Sequence, residues 1–199
     1  MVAYTSDVLI VGAGVGGLTL GLRLAAQGYR VRILQQREPG RALRPEIMQP
    51  AALHAFAQLG LLDRLKAVPA APVERFHFHR IGGSLLCQVD YRLLRHPYPY
   101  ALILLPHRTR HVILDGLRDF PGIHIHWDAQ FAGLLRNGKQ VIGAIASCDG
   151  REREFYAFVT VGADGSGSAF REALGIQARV KRDANAFLGP LVRSPSCAR

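Results

Sequence analysis

The sequence predicts an α/β fold, a parallel sheet joined to part of an antiparallel one. Three observations carry that prediction. A branched apolar run at residues 7–12 leads through a glycine-rich turn and a helical stretch to a second strand by residue 36. Residues 73–91 read as a hairpin about a Gly82-Gly83 pair. From residue 123 to 162 the pattern is strand after strand.

Residues 7–12 (DVLIVG) are rich in branched side chains, as a parallel strand buried on both faces requires. Residues 16–27 show helical spacing, and Gly28 closes that helix as a C-terminal cap. Residues 30–36 (RVRILQQ) alternate and form the second strand. An Arg/Pro/Gly-rich loop, 37–50, leads into an amphipathic helix over 51–66, where Leu53, Phe56, Leu59, Leu62 and Leu65 share a face. A Pro/Ala linker, 69–72, precedes the hairpin strands 73–80 and 84–91. A strand at 101–105 and a helix over 109–120 follow. Strands at 123–128, 131–136, 141–147 and 154–162 come next, with an Asn137-Gly138 turn after the second. A short helix starts near Ser168, and residues 179–199 carry little pattern. The expected organisation is a nucleotide-binding part at 1–72, a hairpin of a second domain at 73–100, and a return to the first domain at 101–178. Residues 179–199 are a tail or the start of further structure.

The chain has 199 residues, 49% hydrophobic and 20% charged, which suits one domain or a domain plus part of another and excludes intrinsic disorder. Cys87, Cys148 and Cys197 are too few and too scattered for a disulfide framework or a zinc site, so a reducing, cytoplasmic setting is expected. The net charge is +10, nearly all from arginine, with lysine only at Lys66, Lys139 and Lys181. Those arginines are dispersed, which argues against nucleic acid and suits anionic small ligands. The apolar segment 8–22 is too short and too broken by glycine to form an integral membrane span.

Gly12-Ala13-Gly14-Val15-Gly16-Gly17 is a G-x-G-x-x-G loop placed between a predicted strand and a predicted helix. Gly12 permits the tight turn, Gly14 lets backbone approach a pyrophosphate, and Gly17 and Gly21 let the helix lie close on the sheet. The pattern therefore points to a Rossmann-like dinucleotide site. Eighteen residues beyond Gly17, where an acid would bind a ribose diol, stands Gln35, followed by Gln36 and Arg37. Arg32 and Arg37 also suit a ribose 2′-phosphate, so the loop leaves FAD, NAD and NADP open.

Residues 161–171 read V-G-A-D-G-S-G-S-A-F-R: an apolar strand ending in Asp164-Gly165, with Ser168 as N-cap of a helix holding Arg171. Alone, this is equally an ordinary strand-turn-helix junction. Together with the glycine loop it resembles the class A flavoprotein monooxygenases, the family of aromatic hydroxylases, ubiquinone-pathway hydroxylases and squalene epoxidases. The stretch Arg44-Pro45-Glu46-Ile47-Met48-Gln49-Pro50, the L-G-L-L-D at 59–63 and Pro106-His107 are similar to segments of the same family.

The resemblance implies a Rossmann-like FAD-binding domain with a parallel sheet, plus part of an antiparallel substrate domain. It implies that Gly12, Ala13, Gly14, Val15, Gly16 and Gly17 carry the FAD pyrophosphate. Gln35 and Gln36 then lie at the adenosine ribose, and Arg44 reaches the flavin's phosphate or ribitol. Asp164 and Gly165 fall in a segment tied to both FAD and NADPH, and Arg110 or His107 completes the adenine side. The implied activity uses NADPH or NADH and dioxygen to oxygenate a small aromatic or apolar molecule. It needs no acid–base side chain, so no catalytic residue is named.

Two departures stand out. Gln35 replaces the expected acid, and no G-D-A or G-D-S segment of the kind found in the family's later half occurs here. An incomplete chain is expected, with a second chain as a possible source of the other half. The rival readings are a non-catalytic truncated or split flavoprotein fragment and an NADP-dependent reductase using Arg32 and Arg37. The pairs His77/His79 and His124/His126 read as ordinary strand residues, with no metal site expected. No G-x-S-x-G elbow supports a hydrolase.

Overall fold

The computed structural model describes residues 4–37 and 45–181. In chain order the elements are β1 (Ser6–Val11), α1 (Val15–Ala25), β2 (Val31–Leu34), β3 (Glu46–Met48), α2 (Pro50–Gln58), α3 (Leu62–Ala67), β4 (Ala71–Val73), β5 (Arg75–His79) and β6 (Leu85–Asp90). Then come β7 (Ala101–Leu104), α4 (Pro106–Leu117), β8 (Ile123–His126), β9 (Ala129–Asn137), β10 (Gln140–Cys148), β11 (Arg151–Gly162) and α5 (Ala169–Ala173). These form two compact units: residues 4–37 with 113–181, and residues 45–112.

The first unit is built on a six-stranded sheet in the order β8-β2-β1-β11-β10-β9. β8, β2, β1 and β11 run parallel, and β10 and β9 run antiparallel beside them. Leu9, Ile10, Val31 and Ile33 are fully buried, as expected of strands covered on both faces. On one face α1 turns Gly17, Leu18, Gly21, Leu22 and Ala25 inward. On the other, Leu9, Val11 and Leu34 pack with Ala144, Phe155 and Phe170. Each buried branched side chain contributes about 1.5–3 kcal/mol relative to exposure, so this sandwich dominates the unit's stability. Gly28 (φ 85°) ends α1 as the sequence indicates, its N–H donating to the Ala25 carbonyl.

Two tight turns set the register of the antiparallel strands. Asn137 pairs with Gln140 across Gly138 (φ 60°), and Cys148 pairs with Arg151 across Asp149 (φ 52°) and Gly150 (φ 74°). The second pair has positive φ at both positions, the geometry for which Asp-Gly is favoured.

The second unit holds a three-stranded sheet, β3-β7-β4, and the separate β5-β6 hairpin. Here the structure corrects several sequence boundaries. The helix expected over 51–66 is two helices, because Gly60 (φ 70°) ends α2 while the Leu61 N–H still reaches back to the Phe56 carbonyl. The strand expected over 73–80 breaks at Glu74 into β4 and β5, which join different sheets. Pro72 of the expected linker sits in β4, an edge strand that can spare the missing N–H. The three-residue β3 lies inside the expected loop and is too short to show a period. α4 begins at Pro106, at the first helical turn where proline is preferred, rather than at Thr109. In the hairpin, Asp90 accepts hydrogen bonds from the Arg92 N–H and guanidinium, which hold its carboxyl down to about 2.

Candidate dinucleotide site

The chain runs from β1 outward through β2 to β8, then returns to β11 on the other side of β1. That reversal opens a crevice beyond the carboxyl ends of β1 and β11, where open α/β sheets bind their ligands. The glycine loop lies there. The Gly12 N–H donates to the Leu34 carbonyl at 2.8 Å, and the Ala163 N–H to the Val11 carbonyl at 2.7 Å, tying three strand ends together.

Two glycines are required by contact. A Cβ on Gly12 (φ 110°) would sit 2.3 Å from the Ala163 carbonyl oxygen, and one on Gly17 would sit 2.0 Å from the Gly12 carbonyl oxygen. Gly17 therefore sets how closely α1 approaches the loop. Gly14 and Gly16 are different: both are exposed, and nothing lies within 4 Å of the space their Cβ would take. Gly14 is the N-cap of α1. Among the described residues, no side chain caps α1 and its first turn carries no acid, so its first N–H groups and positive dipole end stay uncapped. Such an arrangement fits a pyrophosphate.

Gln35 has a specific job. Its Oε1 accepts from the Ala13 N–H at 2.6 Å and its Nε2 donates to the Arg37 carbonyl at 2.8 Å. The side chain staples the glycine loop to the end of β2. Beside it lies a cavity of about 180 Å³, whose walls include Gly12, Gln35, Gln36, Phe131 and Asp164. This is below the usual range for a whole ligand, so the cavity has room for only one segment of a larger one.

Asp164 stands at the cavity wall and caps α5. Its Oδ1 accepts from the Ser168 hydroxyl at 2.5 Å and its Oδ2 from the Phe170 N–H at 3.0 Å. Ser168 in turn accepts from the Arg171 N–H at 2.9 Å, the N-cap role read from sequence. Gly165 (φ 95°) is exposed, with open space around it. Among the sequence-predicted residues, Gly12, Ala13, Gly14, Val15, Gly16, Gly17, Gln35, Gln36, Asp164 and Gly165 all belong to the first unit. Arg110 and His107 are half-buried on α4 in the second unit, and Arg44 lies outside the described residues.

Ala129, Gln130 and Phe131 line the cavity and were not anticipated. Gln35 brings them there: its N–H donates to the His126 carbonyl and its carbonyl accepts from the Ala129 N–H. No local motif marks that long-range pairing. Among the described residues, no group of three or more His, Cys, Asp or Glu is placed to hold a metal ion, and no helix is long and apolar enough to cross a membrane.

A βαβ unit with a glycine loop at the switch point defines a Rossmann-type dinucleotide-binding domain. The comparisons make the class specific: the chain belongs to the FAD binding domain family, which it matches over residues 5–196. It is 35% identical over 173 residues to 6-methylpretetramide 4-monooxygenase of Streptomyces rimosus, covering 86% of this chain and 30% of that protein. It is 27% identical to squalene epoxidase erg1 of Aspergillus fumigatus, covering 84% and 35%. Among solved structures, p-nitrophenol 4-monooxygenase PnpA of Pseudomonas putida DLL-E4 superposes with a TM-score of 0.76 at 25% identity, covering 87% of this chain and 44% of that one. The chain spans less than half the length of these relatives.

Proposed function

We propose that the chain holds FAD and serves a monooxygenase that uses NADPH or NADH and dioxygen on a small aromatic or apolar molecule. The observation that carries this reading is the loop at the switch point: two glycines demanded by contact, two left open, and a bare helix N-terminus. In this reading Gly14, Gly16 and the first N–H groups of α1 bind the pyrophosphate, with Ala13 and Val15 shaping the loop. Gln35 and Gln36 border the adenosine ribose, Gln35 as a neutral acceptor already committed to the Ala13 N–H. Asp164 and Gly165 form the opposite wall, and a cofactor role for Arg44 and Arg110 rests on the family resemblance alone. When bound, FAD supplies the electron-transfer and oxygen-transfer chemistry, and the chain's part is to position it and keep water away.

Adding FAD to the purified protein and following the flavin's visible spectrum and fluorescence tests the reading. Saturable quenching supports it. Absence of binding contradicts the claim that this chain alone holds FAD, and NADPH binding tighter than FAD favours the reductase reading.

A second reading concerns what completes the site. Among the described residues, 157–162 of β11 pair with β1 alone, because pairing with β10 ends at Tyr156. Phe158 and Val159 on this open segment are 59% and 53% exposed. An apolar open edge in a parallel sheet favours a further strand from additional polypeptide, in this chain or a partner. Co-expression with the remaining half of a relative tests it: NAD(P)H oxidation that appears only in the mixture supports it.

A further inference from the structure

We propose that Arg32, His124, His126 and Arg153 form a binding site for a phosphate-type oxyanion, separate from the glycine loop. Three strands build it. β2 and β8 pair with Arg32 opposite His124 and Leu34 opposite His126. Alternation along each strand places Arg32, His124 and His126 on one face. Ile33, against which Gly21 of α1 packs, lies on the other. The His126 ring meets the Phe155 ring edge-on at 4.9 Å, which brings β11 over the same face. Arg153 lies two residues before Phe155 and so shares its side of β11.

The polar accounting is one-sided. Among the described residues, neither Arg32 nor Arg153 makes a salt bridge or a side-chain hydrogen bond. The Nε2 of His126 is buried with no hydrogen-bond partner. Glu152 and Glu154 alternate to the other side of β11, and Glu154 is engaged by the Tyr156 hydroxyl. Burial and then the charges of Arg32, His124 and Arg153 hold the His126 imidazole below its ordinary range. Two guanidinium forks and an imidazole, carried on one side of three strands, offer more donors than one planar carboxylate can accept and suit the several oxygens of a phosphate. Arg32 is three residues before Gln35, so the anion comes either as free phosphate or as a phosphate on a nucleotide's ribose.

Trp127 is the chain's single tryptophan and follows His126 directly, so its fluorescence reports on the site. The full chain is titrated with inorganic phosphate, adenosine 2′-phosphate and adenosine, with ionic strength held constant by chloride. The expected result is a saturable change with phosphate, weakened at least tenfold in the Arg32→Gln, Arg153→Gln double variant, whose thermal melt stays at the wild-type value. The His126 imidazole, followed by NMR, titrates at higher pH when phosphate is bound. Tighter binding of adenosine 2′-phosphate than of phosphate assigns the nucleotide source, and equal binding assigns free phosphate. A change matched by chloride alone, wild-type binding in the double variant, or an unmoved His126 titration overturns the proposal.

Discussion

The glycine loop of the first unit and the β5-β6 hairpin of the second both join secondary elements through glycine pairs, yet different forces hold them. At the loop, Gly12 and Gly17 are pressed against backbone, and the apolar residues of the strands that lead there are buried. At the hairpin, Gly82 and Gly83 have nothing within 4 Å, and Phe78, Leu85 and Leu86 are each more than half exposed. In the first region two glycines are demanded by packing and two are left open, so the motif encodes more than a turn. In the second it is demanded only by the turn, so the motif encodes connectivity.

The largest expected effect is at Gly17. Gly17→Ala drives a methyl into the Gly12 carbonyl, costs about 2–3 kcal/mol in urea unfolding and abolishes FAD uptake. Wild-type stability in this variant would break the contrast. Gly14→Val separates site from fold, because its φ is −69° and its surroundings are open. Its stability is expected to fall by no more than about 1 kcal/mol, the cost of replacing the glycine N-cap. Its FAD affinity falls about a hundredfold, equivalent to about 2.7 kcal/mol, in a fluorescence titration.

Asp164→Ala removes the acceptor for the Phe170 N–H and the Ser168 hydroxyl, and is expected to cost about 1–2 kcal/mol in thermal unfolding. At the hairpin, Phe78→Ser should change stability by less than about 0.5 kcal/mol, since the ring is already exposed. A larger loss would mean that the hairpin is packed in solution.

A pH series gives the smallest signal. Burial, then the charges of Arg32, His124 and Arg153, hold His126 below its ordinary value of 6.5, so the unfolded chain takes up its proton first. The stability His126 contributes is therefore full above 6.5 and is lost as pH falls through its lower folded value. His126→Gln should flatten that slope in phosphate-free buffer.

Much of the first unit was legible because its constraints are local in sequence. A buried strand needs branched residues, a tight loop needs glycine at set spacings, and Ser168 announces an N-cap. What escaped was set by pairing between distant segments. The β3 strand exists because Ile47 finds Ile103, and the β4/β5 break because β4 joins β7 while β5 joins β6. Phe131 reaches the cavity through the Gln35 backbone, which no spacing records. The Asp149-Gly150 turn was available as a local signal and explains why β10 and β11 are longer than their apolar cores suggest.

The most direct test of the central claim is a paired FAD titration of the wild-type chain and Gly14→Val, with both folds checked by circular dichroism. Saturable flavin quenching in the wild type, lost in a variant that keeps its fold and a cooperative melt, is the expected result. A folded wild-type chain that leaves the flavin signal unchanged, or a Gly14→Val chain that binds FAD as tightly, would contradict the assignment of the glycine loop as the cofactor's cradle.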